Sequence, residues 1–83
     1  MIEVIVGTDE KLRLRIDQKE PAGVGLSQLA VRVRELQKGN ADTPVVISAD
    51  KSVRYESVVR VMDTLQRAGV RRVGLSVKQG AAA

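Results

Sequence analysis

The sequence predicts an α+β domain, in which two helices pack on one face of a small mixed sheet in the order β-β-α-β-α-β. Apolar and charged residues alternate over 12–17, and apolar residues alternate with polar residues or glycine over 73–78, which is the period of a half-buried strand. Apolar residues recur at spacings of three and four over 26–36 and 55–65, which is the period of a helix with one apolar stripe. Chains divide into several cores only beyond roughly 250 residues. We therefore expect a single domain over residues 1–79 of this 83-residue chain.

The first two strands are predicted to form a hairpin. Residues 2–6 are rich in β-branched side chains, and turn residues over 7–11 separate them from the alternating segment. Pairing would place Leu12, Leu14 and Ile16 on the apolar face, so both strands share one core.

The next predicted element is a helix, because Pro21, Gly23 and Gly25 interrupt the strand pattern. Its apolar stripe has helical spacing and consists of Leu26, Leu29, Ala30, Val33 and Leu36. We expect it to end near residues 38–40, where glycine or asparagine can adopt the left-handed conformation.

The second half predicts a β-α-β unit. Residues 45–49 are a β-branched run, typical of a strand near the middle of a sheet. The following helix starts at Tyr55, with a predicted apolar stripe made of Tyr55, Val58, Val59, Met62 and Leu65 and with Val61 and Ala68 on its flank. A right-handed crossover makes residues 73–78 a parallel neighbour of 45–49. Residues 80–83 carry no pattern and are expected to be a flexible tail.

The two helices would leave the other face of a four-stranded sheet open. Its predicted side chains are charged at some positions and small or apolar at others: Arg13, Arg15, Asp17, Lys78, Ile5, Val46, Gly74 and Ser76. An open face and an unpaired edge are typical of a domain that pairs with itself or with an extended peptide.

The composition argues against an enzyme. The chain has no His and no Cys, which removes the common nucleophile systems and zinc sites, and we expect no catalytic residue, cofactor or metal. Asp50 and Asp63 lack a second carboxylate at a useful spacing. We expect Asp63 to pair with Arg67, and Asp50 to accept hydrogen bonds at a strand end.

The net charge of +4 makes an acidic partner worth testing. A small nucleic-acid binder is one alternative, with basic residues facing phosphates: Arg13, Arg15, Arg71, Arg72 and Lys78. Against it, the predicted sheet has no aromatic side chain on which bases could stack. The longest uncharged stretch, 21–31, is shorter than the roughly 20 apolar residues that span a bilayer.

The segment from Thr43 to Lys78 resembles a known family. The matching features have fixed spacing and comprise Ala49-Asp50-Lys51 at a strand end, Val53, Tyr55, the helical run Val61-Met62-Asp63-Thr64-Leu65, Ala68-Gly69 and Val73-Gly74-Leu75. They are similar to the periplasmic domain of the ExbD/TolR family of biopolymer-transport proteins. The helical run is closer to ExbD, and Arg54 stands where TolR-like members often have proline.

The resemblance implies a non-enzymatic role in energy transduction. Family members have one transmembrane helix and place this domain in the periplasm. With an ExbB- or TolQ-like subunit they form an inner-membrane motor driven by the proton gradient. ExbD-like members pass the energy to TonB for siderophore and vitamin uptake. TolR-like members serve envelope integrity, work with TolA-like proteins and can contact peptidoglycan. A homodimer is expected, and nucleic acid is not.

The resemblance also points to functionally sensitive positions. Leu75 lies in the family's Gly-Leu pair and Tyr55 lies ahead of the second helix. Val73, Val77 and Asp50 complete the set of expected partner-binding positions. Core packing is the alternative explanation for Leu75 and Tyr55.

Overall fold

A computed structural model describes residues 1–17, 19–40 and 42–78 of the chain. The predicted α+β class is confirmed, with two helices packed on a mixed sheet. The elements in chain order are β1 (Ile2–Val6), β2 (Leu12–Ile16), β3 (Ala22–Val24), α1 (Leu26–Gln37), β4 (Val45–Asp50), α2 (Tyr55–Arg67) and β5 (Val73–Lys78). The tail predicted over 80–83 lies outside the described residues.

The sheet has the strand order β3-β2-β1-β4-β5. β1 and β2 form the predicted antiparallel hairpin, and β4 and β5 are parallel neighbours, as the crossover rule requires. β1 is also parallel to β4, so these two strands form the centre of the sheet.

The prediction of four strands was wrong, because residues 22–24 form a fifth. Ala22 lies opposite Leu14, Gly23 opposite Arg13 and Val24 opposite Leu12. Alanine and glycine have low strand propensity, so the local sequence gives little sign of β3. The strand forms because β2 offers unpaired backbone groups along its outer side, and pairing requires only the main chain of its partner.

The core lies between the helices and one side of the sheet. Paired residues of neighbouring strands point to the same side, so Val4, Leu14 and Ile47 face the helices together. We call the buried residues on this side of β1, β2 and β4 the covered strip: Ile2, Val4, Val6, Leu12, Leu14, Val45, Ile47 and Ala49. From the helices, the same core receives Leu29, Val33, Val58, Val61 and Leu65.

The first helix ends where its sequence predicts. Lys38 and Gly39 both adopt positive φ, at 52° and 83°, which stops α1 in a left-handed turn. Leu29 and Val33 of its predicted stripe are buried, but Leu26 at its start is exposed.

The apolar stripe predicted for α2 is centred on the wrong side. Val58 and Leu65 are buried as expected, and Val61, which was predicted to lie on the flank, is also buried. Tyr55 and Val59 are exposed instead. The reason is tertiary: α2 packs against α1 as well as against β4 and β5, so its buried side turns toward Val61.

Candidate functional site

The last strand carries apolar side chains that the core does not cover. Val73, Leu75 and Val77 lie opposite covered residues of β4, so all three point to the helix side of the sheet. Val73 is partly buried against the core, whereas Leu75 is 46% exposed and Val77 is 58% exposed. We call these three residues the β5 apolar edge. They form a solvent-facing continuation of the core.

The exposed apolar residues of α2 lie on the side of that helix away from the start of α1. Ser57 and Arg60 line a cavity together with the start of α1. At 3.6 residues per turn, Tyr55 and Val59 are rotated about 160° from Ser57 around the helix axis. Tyr55 is 79% exposed and Val59 is 41% exposed. We call these two residues the α2 flank.

The β5 apolar edge and the α2 flank are at matching heights. A tight turn separates β4 from Tyr55, and Val77 pairs with Ala49 near the same end of β4. Four helical residues rise about 6 Å and two strand residues about 6.6 Å. Tyr55 and Val77 therefore both lie toward the end of the sheet where β4 ends, and Val59 and Leu75 follow at similar spacings along their elements.

Along its outer side, β5 offers main-chain hydrogen-bonding groups. Within the described part of the chain, β5 pairs with β4 alone. An edge of six residues with alternating apolar side chains can accept another strand by main-chain pairing. The arrangement therefore suits binding of an extended segment, with the exposed apolar residues contacting alternate side chains.

Asp50, the remaining predicted site residue, has a local role. Its Oδ1 accepts a hydrogen bond from the backbone N–H of Ser52 at 2.9 Å and another from the Ser52 hydroxyl at 2.7 Å. Both bonds lower the pKa of the Asp50 carboxyl below 3.8, and the bond from the backbone N–H has the larger effect. As expected for a strand-end acceptor, Asp50 stabilises the turn between β4 and α2.

On the open face, charged residues pair with one another. Glu3 Oε2 accepts a hydrogen bond from the Ser48 hydroxyl at 2.6 Å, and Glu3 Oε1 lies 3.7 Å from Arg15 Nη1. Arg13 Nη2 lies 3.8 Å from Asp9 Oδ2.

Three of the five basic residues suggested for nucleic acid thus have an acid within 4 Å, since Arg71 Nη1 also lies 3.9 Å from Asp42 Oδ1. The predicted Asp63–Arg67 pair is present, with Oδ2 and Nε 3.1 Å apart.

Residues 1–17, 19–40 and 42–78 contain neither a metal-binding cluster nor a membrane-spanning helix. Among these residues there is no group of three or more His, Cys, Asp or Glu side chains that could hold a metal ion. No helix in the same ranges is long and apolar enough to cross a membrane.

The fold is a small two-layer α+β domain, and its last strand exposes apolar side chains to solvent. Residues 1–80 match the protein family described as "Biopolymer transport protein ExbD/TolR". The chain therefore belongs to the ExbD/TolR family.

The relatives similar to this chain include proteins named ExbD and a protein named TolR. The Tol-Pal system protein TolR of Pseudomonas aeruginosa is 39% identical over 59 residues, which cover 71% of this chain and 40% of the relative. The biopolymer transport protein ExbD of Escherichia coli (strain K12) is 48% identical over 40 residues, 48% of this chain and 28% of the relative. ExbD of Pseudomonas putida is 36% identical over 72 residues, 87% of this chain and 48% of the relative. The chain spans less than half the length of each of these relatives.

Sequence reasoning singled out four of the five residues at this surface and missed Val59. It assigned Val59 to the buried stripe of α2 together with Tyr55. A signal was present, because Val61 gives α2 a second apolar face, but a single helix cannot show which of two faces its neighbours will cover.

Proposed function

We propose that this chain is the periplasmic interaction domain of an inner-membrane energy transducer of the ExbB–ExbD–TonB type, driven by the proton-motive force. Family membership supports the general role in biopolymer transport. The observation that carries the finer proposal is the exposure of Leu75 and Val77 on β5, an edge strand whose outer side has no partner strand within the described residues. Large apolar side chains exposed together mark an interaction surface.

In the proposed mode of binding, an extended segment of a TonB-like protein adds to the outer side of β5. Its main chain pairs with β5, and its alternate side chains contact Leu75 and Val77 on one side of the sheet. Tyr55 and Val59 form the neighbouring wall. Coupling the motor to TonB in this way would serve siderophore and nutrient uptake through the outer membrane.

The same edge suits a second copy of the chain. Antiparallel pairing of two β5 strands would extend the sheet across a homodimer and cover both apolar edges. An ExbB- or TolQ-like motor subunit would contact the membrane helix that family members carry, and the domain would lie in the periplasm.

A TolR-type role in envelope integrity is the second candidate. The observation that favours it is the match to TolR of Pseudomonas aeruginosa, whose 39% identity over 71% of this chain compares with 36% identity over 87% for ExbD of Pseudomonas putida. The partners would then be a TolA-like protein and peptidoglycan.

The test is an NMR titration of the ¹⁵N-labelled chain with peptides that cover the periplasmic part of a TonB-like protein, and in parallel of a TolA-like protein. We expect one set to shift the amide signals of residues 73–78. Peptidoglycan fragments form a third arm. Shifts with the TolA-like set or with peptidoglycan alone would assign the TolR-type role, and unchanged signals at β5 in every arm would contradict both candidates.

A matched pair of variants locates the surface. Val77→Asp places a charge on the β5 apolar edge, and Val31→Asp places one at a valine of similar exposure on α1, 60% against 58%. Only Val77→Asp should abolish peptide binding and weaken self-association measured by sedimentation. Equal effects of the two substitutions would argue against β5 as the binding edge.

A further inference from the structure

A cavity of about 430 Å³ lies on the opposite side of α2 from Tyr55 and Val59. The tip of the β1–β2 hairpin, the end of β3, the start of α1 and the first turns of α2 form its walls. Ligand-binding cavities in proteins commonly have volumes of about 300–1,000 Å³, so this one can take a large side chain and the atoms around it.

The floor of the cavity is apolar. Leu12 and Val61 belong to the core and are buried, and Val24 packs against them from the end of β3. Leu26 also lines the cavity and is exposed at the start of α1. A leucine or phenylalanine side chain from outside would bury its own surface and that of Leu26 together, which favours binding.

The rim of the cavity is basic. Its lining includes Lys11, Arg13 and Arg60 against a single acid, Glu10. The Glu10 carboxylate accepts a hydrogen bond from the Ser57 hydroxyl at 3.3 Å, across the mouth from the hairpin to α2.

The arginines on this rim are only loosely paired. Arg60 Nη2 lies 4.0 Å from Glu56 Oε1, with both side chains about two-thirds exposed. Arg13 Nη2 and Asp9 Oδ2 are 3.8 Å apart, with side chains 40% and 50% exposed. Exposed pairs of this kind contribute about 0–1 kcal/mol, so an incoming carboxylate can replace the existing partner at little cost.

From this combination we propose that the cavity binds an acidic segment of a partner protein through one apolar anchor. A leucine- or phenylalanine-sized side chain enters the apolar floor, and flanking Asp or Glu carboxylates pair with Lys11 and Arg60 at the rim. The site is separate from the β5 apolar edge. In this proposal, part of the chain's net charge of +4 binds carboxylates of the partner.

The experiment is an NMR titration of the ¹⁵N-labelled chain with the peptide acetyl-Glu-Asp-Leu-Asp-Glu-amide. We expect shifts at residues 11–13, 24–26 and 57–61, with residues 73–78 unchanged, and affinity that falls as salt is added. The matched peptide acetyl-Lys-Lys-Leu-Lys-Lys-amide should leave these signals in place.

Two charge reversals on one helix complete the test. Arg60→Glu should weaken binding of the acidic peptide about fivefold, because it replaces an attractive surface contact by a repulsive one. Arg67→Glu changes the charge equally and breaks a similar pair with Asp63, but Arg67 does not line the cavity. Arg67→Glu should therefore reduce affinity for the acidic peptide by less than half the factor seen with Arg60→Glu.

Several outcomes would overturn the proposal. Equal effects of the two reversals, or equal binding of the basic peptide, would mean that the rim does not select acidic segments. Shifts confined to residues 73–78 would assign the peptide to the β5 apolar edge and leave the proposed function intact. Shifts of the cavity residues on raising protein concentration alone would identify a second copy as the occupant. Stronger shifts with octanoate than with the peptide would identify a lipid chain.

Discussion

Ile47 on β4 and Leu75 on β5 lie opposite each other in the sheet and point to the same side, yet Ile47 is 0% exposed and Leu75 is 46% exposed. The two residues represent two regions of one surface, the covered strip and the β5 apolar edge. Both regions have the same alternation of apolar side chains. They differ because the helices bury the covered strip, whereas α2 covers β5 only in part and leaves Leu75 and Val77 exposed. The apolar residues of β5 are thus available for contacts outside the domain.

Truncation of these two opposite residues to alanine should give the largest difference in stability between the two regions. Ile47→Ala leaves a cavity in the core and should lower the free energy of unfolding by about 2–5 kcal/mol. Leu75→Ala should cost about 1 kcal/mol or less, because much of the side chain is already in water. Urea unfolding followed by circular dichroism measures both. Similar losses for the two variants would mean that β5 belongs to the core and is not a free surface.

The same contrast can be tested within α2. Val61 is buried and Val59 is exposed, two positions apart on one helix. Val61→Ala should cost about 2 kcal/mol through lost burial and the cavity that remains. Val59→Ala should be close to neutral for stability, since alanine has the higher helix propensity. Val59→Ala should still weaken partner binding. If it lowered stability as much as Val61→Ala, the α2 flank would be part of the core.

A third comparison concerns the open face, where Ser48 of β4 pairs with Ser76 of β5. Ser48 is buried and its hydroxyl donates to Glu3. Ser48→Ala should lower stability by about 1 kcal/mol, because a part-buried carboxylate loses a donor. Ser76→Ala should change it by less than about 0.5 kcal/mol. Thermal unfolding of the two variants checks whether the central and edge strands differ on this face as well.

The smallest effect is expected from pH, at the turn between the covered strip and α2. Hydrogen bonds from Ser52 lower the pKa of Asp50 below 3.8 in the folded state. The stability that this contributes is fully present above pH 3.8 and is lost as the pH falls toward the folded-state pKa. Ser52→Ala removes the hydroxyl donor and should raise the pKa of Asp50, measured from its carboxyl carbon signal by NMR. An unchanged titration would mean that the backbone bond alone holds the carboxylate.

Much of the fold follows from local patterns. The alternation in β2 and β5 and the β-branched run in β4 predict strands because each pattern matches a two-residue repeat. The turn residues between β1 and β2 predict their hairpin, and the crossover rule predicts the parallel pairing of β4 with β5. In contrast, β3 has no such pattern. Its formation depends on the free side of β2, which lies elsewhere in the sequence.

Most residues of the proposed surface were named from the sequence, but their exposure to solvent was not predicted. Tyr55 and Leu75 stand out through the family resemblance, and core packing was an equally good explanation for both from sequence alone. The structure removes that explanation for Tyr55, which is 79% exposed, and leaves Leu75 about half covered. The basic cavity was not predicted, because its walls combine residues 10–26 with residues 57–61, which only the fold brings together.

Local side-chain chemistry is therefore enough to determine the strands and helices of this protein and the side of each element that is apolar. Hydrophobic alternation and helical spacing act over a few residues, and the sequence displays them directly. Which apolar residues end up in water was decided by tertiary structure alone. Two short helices can cover only part of a five-stranded sheet, and the position of α2 depends on how it packs on α1, β4 and β5. The β5 apolar edge is the part of the apolar surface that remains outside their reach.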